Sequence, residues 1–117
     1  MLKRANRLHL ERDIARVRTK GSSRRGQLFN LRYFIVAGAE TSRVAFVVSK
    51  KISKKAVERN KVARWSREAA QKLLPSFVVS VDIVLSAQQP FAKYSFLGCE
   101  KEIEKLLKDA TLISNGK

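Results

Sequence analysis

The chain has 117 residues, with 25 Lys/Arg against 10 Asp/Glu and a net charge of +15. That length suits one domain around a single core, residues 1–117. No apolar run is long enough to span a bilayer, and no charged-then-apolar leader opens the sequence. A single cysteine, Cys99, excludes an internal disulfide, so a cytoplasmic protein is expected.

The charge is unevenly placed. Residues 1–67 hold nineteen Lys/Arg and four acids (Glu11, Asp13, Glu40, Glu58), whereas residues 68–117 hold six of each. All the excess therefore lies in the first part of the chain. Solubility alone does not need that asymmetry. A polyanion binder does, because each phosphate it neutralises releases condensed counterions. Nucleic acid is the expected partner. A membrane surface would call for a wide apolar helix face beside the basic one, and none is seen.

Residues 1–7 read as a flexible basic arm. Leu10, Ile14 and Val17 then recur at helical spacing, with Glu11 and Asp13 early and Lys20 late, as the helix dipole favours. Gly21 is placed to end that helix. Gly21 to Gly26 reads as a basic loop. Leu28 to Ala37 alternates: Phe29, Leu31, Tyr33 and Ile35 form one face, and Asn30, Arg32 and Phe34 the other. A turn at residues 38–42 leads to a second strand, Arg43 to Ser49, and the two strands are expected to pair as an antiparallel hairpin. A basic helix follows, with Ser53 as its N-cap and Pro75 as its stop. A third strand spans Val81 to Ala87. Ser95 caps a last helix, on which Phe96, Cys99, Ile103, Leu106, Leu107 and Ala110 share a face. The order is α-β-β-α-β-α, an α+β fold in which a small mixed sheet packs against helices.

The basic helix concentrates the charge. From Lys50 to Arg67 there are eight cations and one acid, Glu58. At 100° per residue Asn60, Arg64, Arg67 and Gln71 form one polar stripe, and Val62, Trp65, Ser66, Ala69, Ala70 and Leu73 lie opposite. Many basic helix faces are merely solvated. The density here, the single compensating acid and the whole-chain charge favour a polyanion-binding surface instead.

A protein-only catalyst needs a nucleophile with a base, a carboxylate pair or a metal cluster. One His and one Cys stand ninety positions apart, on segments that read as helix surface and helix core. No HxxxH, CxxC, Asp-x-Asp or glycine-rich phosphate loop occurs. Cys99 reads as a packed thiol, Asp82 lies inside a strand, and Glu68 reads as a salt-bridge partner within the basic helix. No catalytic residue and no metal ligand is assigned.

Val47-Val-Ser-Lys-Lys51, followed by A-V-E-R-N-K-V-A-R-W-S-R-E at residues 56–68, resembles the signature of the protein subunit of bacterial ribonuclease P. The segment N-R-L-H-L-E-R-D-I-A-R-V-R-T-K-G near the start is similar to that family's opening helix. Arg43-Val-Ala-Phe-Val-Val-Ser-Lys-Lys51 resembles its strand into the basic helix, and Asp82-Ile-Val-Leu85 its next strand. The resemblance spans nearly the whole chain. It implies a two-layer α/β sandwich whose basic helix makes a left-handed βαβ crossover. It implies an endoribonuclease subunit in tRNA processing, one that assists removal of the 5′ leader from precursor tRNA. In that family the RNA subunit is the catalyst, with Mg2+ held mainly by RNA rather than by a protein site. The implied partners are the ribonuclease P RNA and precursor tRNA, with no membrane and no obligate protein partner evident.

Carried over, Arg59, Asn60, Lys61, Arg64 and Arg67 match the RNA-binding signature, and Lys50, Lys51, Lys54 and Lys55 would add phosphate contacts. The leader cleft would take in Ile14, Arg18, Asn30, Arg32 and Phe34. Ile14 and Arg18 stand where the family usually has aromatic residues, which weakens stacking on a single strand there. The alternative of a different class is a non-catalytic RNA-binding module, such as a small ribosomal or RNA-assembly protein.

Overall fold

A strand in the middle of a sheet with helices on both faces is buried on both. Val81–Ala87 (β4) fits that place, with five consecutive buried residues from Val81 to Leu85, four of them apolar and one, Asp82, charged. The computed structural model describes residues 4–39 and 41–113. In it β4 pairs antiparallel with Phe29–Ile35 (β2) on one side and parallel with Arg43–Val47 (β3) on the other. A further strand, Ser22–Arg25 (β1), pairs antiparallel with the far side of β2. The order across the four-stranded sheet is β1-β2-β4-β3.

Two sequence expectations are corrected. β2 and β3 do not form a hairpin, because β4 lies between them. Proximity in sequence favours local pairing, but burial on both faces gives β4 the central place. Residues 22–25 are not a loop. All four are exposed, so they carry no apolar alternation, and their strand form comes from pairing with β2.

Three helices complete the fold: Glu11–Lys20 (α1), Ala56–Leu73 (α2) and Phe96–Asp109 (α3). α2 makes the crossover from β3 to the parallel β4. The main core lies between the sheet and α2 and α3. Phe29, Leu31, Ile83 and Leu85 meet Val62, Ala69, Ala70, Cys99, Ile103 and Leu107 there. The other face carries a smaller cluster, Leu8, Val17 and Val84, flanked by Ile14, Phe34, Ala45 and Val47. α1 therefore sits on the opposite face from α2 and α3.

Local chemistry sets the boundaries. Ser95 Oγ accepts from Gly98 N at 3.0 Å and caps α3 as expected. Ser53 is not the N-cap of α2, a position that falls to Lys55. Ser53 instead accepts from Lys55 N at 3.0 Å and donates to Glu58 Oε1 at 2.6 Å, tying the approach to the first turn. Gly21 ends α1 in extended backbone, not in the left-handed region. Its absent side chain matters for space: a Cβ there would strike the carbonyls of Val17 and Tyr33. Of the basic arm, residues 1–3 lie outside the described residues. The rest is held in place, with Arg4–Asn6 in a 3-10 turn, Arg7 bridged to Val44, and Leu8 N donating to Val44 O at 3.0 Å.

The facing of α2 matches its helical wheel at Val62, Ser66, Ala69 and Ala70, all buried. Ser66 is tolerated there because its Oγ donates to Val62 O at 2.8 Å. Trp65 is half-buried and stacks on Phe91, with ring centroids 6.2 Å apart. Trp65→Ala is expected to cost about 2–3 kcal/mol in urea unfolding, below the range for a fully enclosed indole. A loss under about 0.5 kcal/mol would show that this contact does not hold α2 in place.

Candidate nucleic-acid interface

On the solvent side of α2, Asn60, Lys61 and Arg64 are exposed and Arg67 is half-buried. Together with Val57 they line a shallow groove of about 440 Å³. Helical spacing brings these four polar side chains onto one patch. Glu58, the acid in this stretch, is occupied by the Ser53 hydroxyl. Arg59 is partly structural: its Nη1 donates to Ser53 O at 2.9 Å and fixes the connection before the helix. Lys50, Lys51, Lys54 and Lys55 are exposed in that same connection. Gln71 leaves the stripe. It is half-buried, and its Oε1 is enclosed without a hydrogen-bond donor among the described residues.

The second surface is the sheet face that carries α1. Pairing register puts Phe34, Asp82 and Arg43 in one row across β2, β4 and β3. Arg32, Val84 and Ala45 form the next row, and Asn30, Ser86 and Val47 the one beyond. α1 covers the first row. Asp82 is 1% exposed. Its two oxygens accept from Arg43 Nε at 2.9 Å and Arg43 Nη2 at 2.7 Å, a bidentate pair. Arg16 Nη2 of α1 reaches the same carboxylate at 3.0 Å. Arg43 Nη1 in turn reaches Asp13 of α1 at 3.2 Å. The hydrogen bonds that Arg43 donates to Asp82 lead the contacts that hold its guanidinium above its usual range.

The sheet row expected to face solvent is only partly open. Arg32 is exposed, and its Nη1 donates to Arg18 O at 3.1 Å, while Asn30 is half-buried. Phe34 departs from the expectation. It packs in the small cluster under α1, with the Arg16 guanidinium 5.0 Å from its ring centre. Ile14 packs in that cluster too, and Arg18 is exposed beside Arg32. The structure thus brings Arg18, Arg32 and Asn30 together as an open polar track. Ile14 and Phe34, both half-buried, pack beside it in the cluster under α1.

The ribonuclease P family model matches residues 2–111. The chain belongs to the ribonuclease P protein family. It is 30% identical over 113 residues to the ribonuclease P protein component of a Pseudanabaena species, covering 97% of each chain. It is 32% identical to that of Bacillus velezensis, covering 95% of this chain and 94% of the relative. Among solved structures, the Staphylococcus aureus RNase P protein aligns with a TM-score of 0.82 at 29% identity, over 93% of this chain and 98% of that one. The Thermotoga maritima protein aligns at 0.77 and 29%, over 88% and 96%. As a ribonuclease P protein, the chain is a component of an endoribonuclease complex in tRNA 5′ processing, with the ribonuclease P RNA as its partner.

The remaining reactive groups of this ribonuclease P protein are accounted for. Cys99 is fully enclosed, and burial pushes its thiol up to about 11, so it is not a thiolate at neutral pH. His9 is exposed in the extended segment before α1, not on a helix. Glu68 makes no ion pair within 4.0 Å among the described residues, contrary to the sequence expectation; its nearest effect is a long-range pull on Lys72. The sequence reading missed the roles of Arg16, Arg43 and Asp82. A lone carboxylate inside the apolar run V-V-S-V-D-I-V-L was the available signal, since a charge at that depth requires cationic partners.

Asp82→Asn is expected to lower stability by about 2–4 kcal/mol in urea unfolding, because it leaves two guanidinium groups without their shared charge. A change below about 0.5 kcal/mol would mean that solvent satisfies both arginines. Arg64→Ala and Arg67→Ala should leave the thermal midpoint almost unmoved. Each should flatten the salt dependence of RNA binding by about one unit of slope. An unchanged slope would remove the α2 stripe from the RNA contact.

Proposed function

We propose that this protein holds the ribonuclease P RNA on the α2 stripe and the 5′ leader of precursor tRNA on the α1 face of the sheet. The RNA subunit then carries out the endonucleolytic cleavage. The observation that carries this reading is the pair of cationic surfaces built on one rigid sheet. Arg59, Asn60, Lys61, Arg64 and Arg67, with Lys50, Lys51, Lys54 and Lys55, present phosphate-binding groups on α2 and its approach. Arg18, Arg32 and Asn30 line a narrower track in which a single strand fits, with Ile14 and Phe34 beneath.

The division of labour follows from the side chains. Phosphate contacts by Lys and Arg fix position and register but transfer no proton. Of the buried or half-buried acids near the track, Asp82 and Asp13 are bound to Arg43 and Arg16. These residues do not fit a protein-bound Mg2+. Among the described residues no group of three or more His, Cys, Asp or Glu is arranged to hold a metal. In this reading RNA phosphates hold the magnesium, and this chain's carboxylates take no part in the cleavage.

Reconstitution tests the proposal. The chain, mixed with a bacterial ribonuclease P RNA, should restore cleavage of precursor tRNA at magnesium concentrations where the RNA alone is nearly inactive. Failure to stimulate any such RNA, with tight binding to ribosomal RNA, would instead make it a general RNA-binding module. Cleavage by the protein alone would place the chemistry in its side chains.

A further inference from the structure

Past the open row of the sheet, the strands end at a groove of about 700 Å³ whose lining includes Arg25, Gln88, Gln89, Lys93 and Glu102. It is a built feature. Tyr94 Oη accepts from Gln88 N at 2.9 Å and Gln89 N at 3.0 Å, and donates to Leu28 O at 2.5 Å. One phenol thereby ties the exit of β4 to the turn between β1 and β2. The side-chain amides of Gln88 and Gln89 donate across the same gap, to Gly26 O at 2.6 Å and Gln27 O at 3.1 Å. Glu102 Oε2 accepts from Leu28 N at 2.5 Å and Phe29 N at 2.9 Å. The carboxylate in the groove is thus engaged by backbone N–H groups.

What the groove offers a ligand follows from what is left over. Arg25 and Lys93 are exposed, and neither has a carboxylate within 4.0 Å among the described residues. With both glutamine NH₂ groups oriented by backbone carbonyls, their Oε1 atoms remain as acceptors. Cations beside fixed amide acceptors suit a nucleotide whose phosphate and unpaired base edge are both accessible, which is single-stranded RNA. The position is continuous with the track. Arg25 pairs with Asn30 and Ser23 with Arg32, so Arg18, Arg32 and Arg25 lead from α1 towards the groove. No acid occurs between residues 14 and 39.

We propose that this groove is a second single-stranded RNA site, where Arg25 and Lys93 hold phosphates and Gln88 and Gln89 meet base edges of leader nucleotides beyond those on the β2 row. The inference rests on the leader reading above. It gives a role to the β1 edge and to the Gln88-Gln89 segment, which the α2 stripe leaves unused.

The test uses the enzyme reconstituted with a bacterial ribonuclease P RNA and precursor tRNAs bearing a short or a long leader. Wild-type protein should bind the long-leader substrate more tightly. The Arg25→Ala/Lys93→Ala double variant should lose most of that extra affinity. Its salt dependence for the long leader should flatten by about one to two units of slope. Gln89→Ala should reduce any discrimination among leader sequences without altering that slope. If the double variant keeps the full length-dependent gain, the groove is not a leader site. If it weakens assembly with the RNA subunit and spares the gain, the groove serves that RNA instead, and the inference is overturned. A wild-type protein with no length dependence at all would sink the leader reading and this inference with it.

Discussion

A carboxylate buried at the centre of an apolar sheet must be neutralised where it stands, and that requirement shapes the α1 side of the molecule. Asp82 meets it by drawing in Arg43 from β3 and Arg16 from α1. Arg43 then reaches Asp13, also on α1. Four side chains from three elements are thereby fixed to one point. Apolar burial alone would leave α1 resting on a small cluster of Leu8, Val17 and Val84, which is weakly directional. Ion pairs with defined geometry add register. They set how far α1 lies over the sheet, and so how much of the face bearing Asn30 and Arg32 stays open.

The two surfaces proposed to bind RNA have different physical characters. The α2 stripe is a shallow cationic groove on a helix whose other side is locked into the main core by Val62, Ser66, Ala69 and Ala70. Such a surface matches a folded RNA by phosphate spacing and is strongly screened by salt. The sheet track holds fewer cations, beside amide and apolar groups. It suits a flexible strand, whose bases can approach the protein. The sheet keeps the two surfaces in fixed relation, which under the proposed function is the protein's contribution.

Much of this was legible in the sequence, and the exceptions have physical causes. β4 is legible with its observed limits because Val81–Ala87 is rich in β-branched residues, is apolar apart from Asp82 and Ser86, and lies between polar breaks. The α2 faces were legible because helical spacing sorts large apolar from charged residues. β1 was not, since Ser22-Ser-Arg-Arg25 has no burial pattern of its own and exists through its neighbour. The β2–β3 pairing was misread because local pairing is the default and long-range insertion leaves no local mark. Ile14 and Phe34 enter the leader cleft by analogy alone, and both are half-buried in the cluster under α1. The family signature carried what periodicity could not, namely the family itself and with it the expectation of an RNA partner.

The central claim is that two opposite surfaces of one sheet hold two different RNAs. Site-directed crosslinking tests it most directly, because Cys99 is enclosed and stays unlabelled. A photo-reactive group would be attached through Arg64→Cys on α2 or through Arg32→Cys on β2, in the enzyme assembled with ribonuclease P RNA and precursor tRNA. The account predicts crosslinks to the RNA subunit from position 64 and to the leader from position 32. Crosslinks from both positions to the same RNA would contradict it.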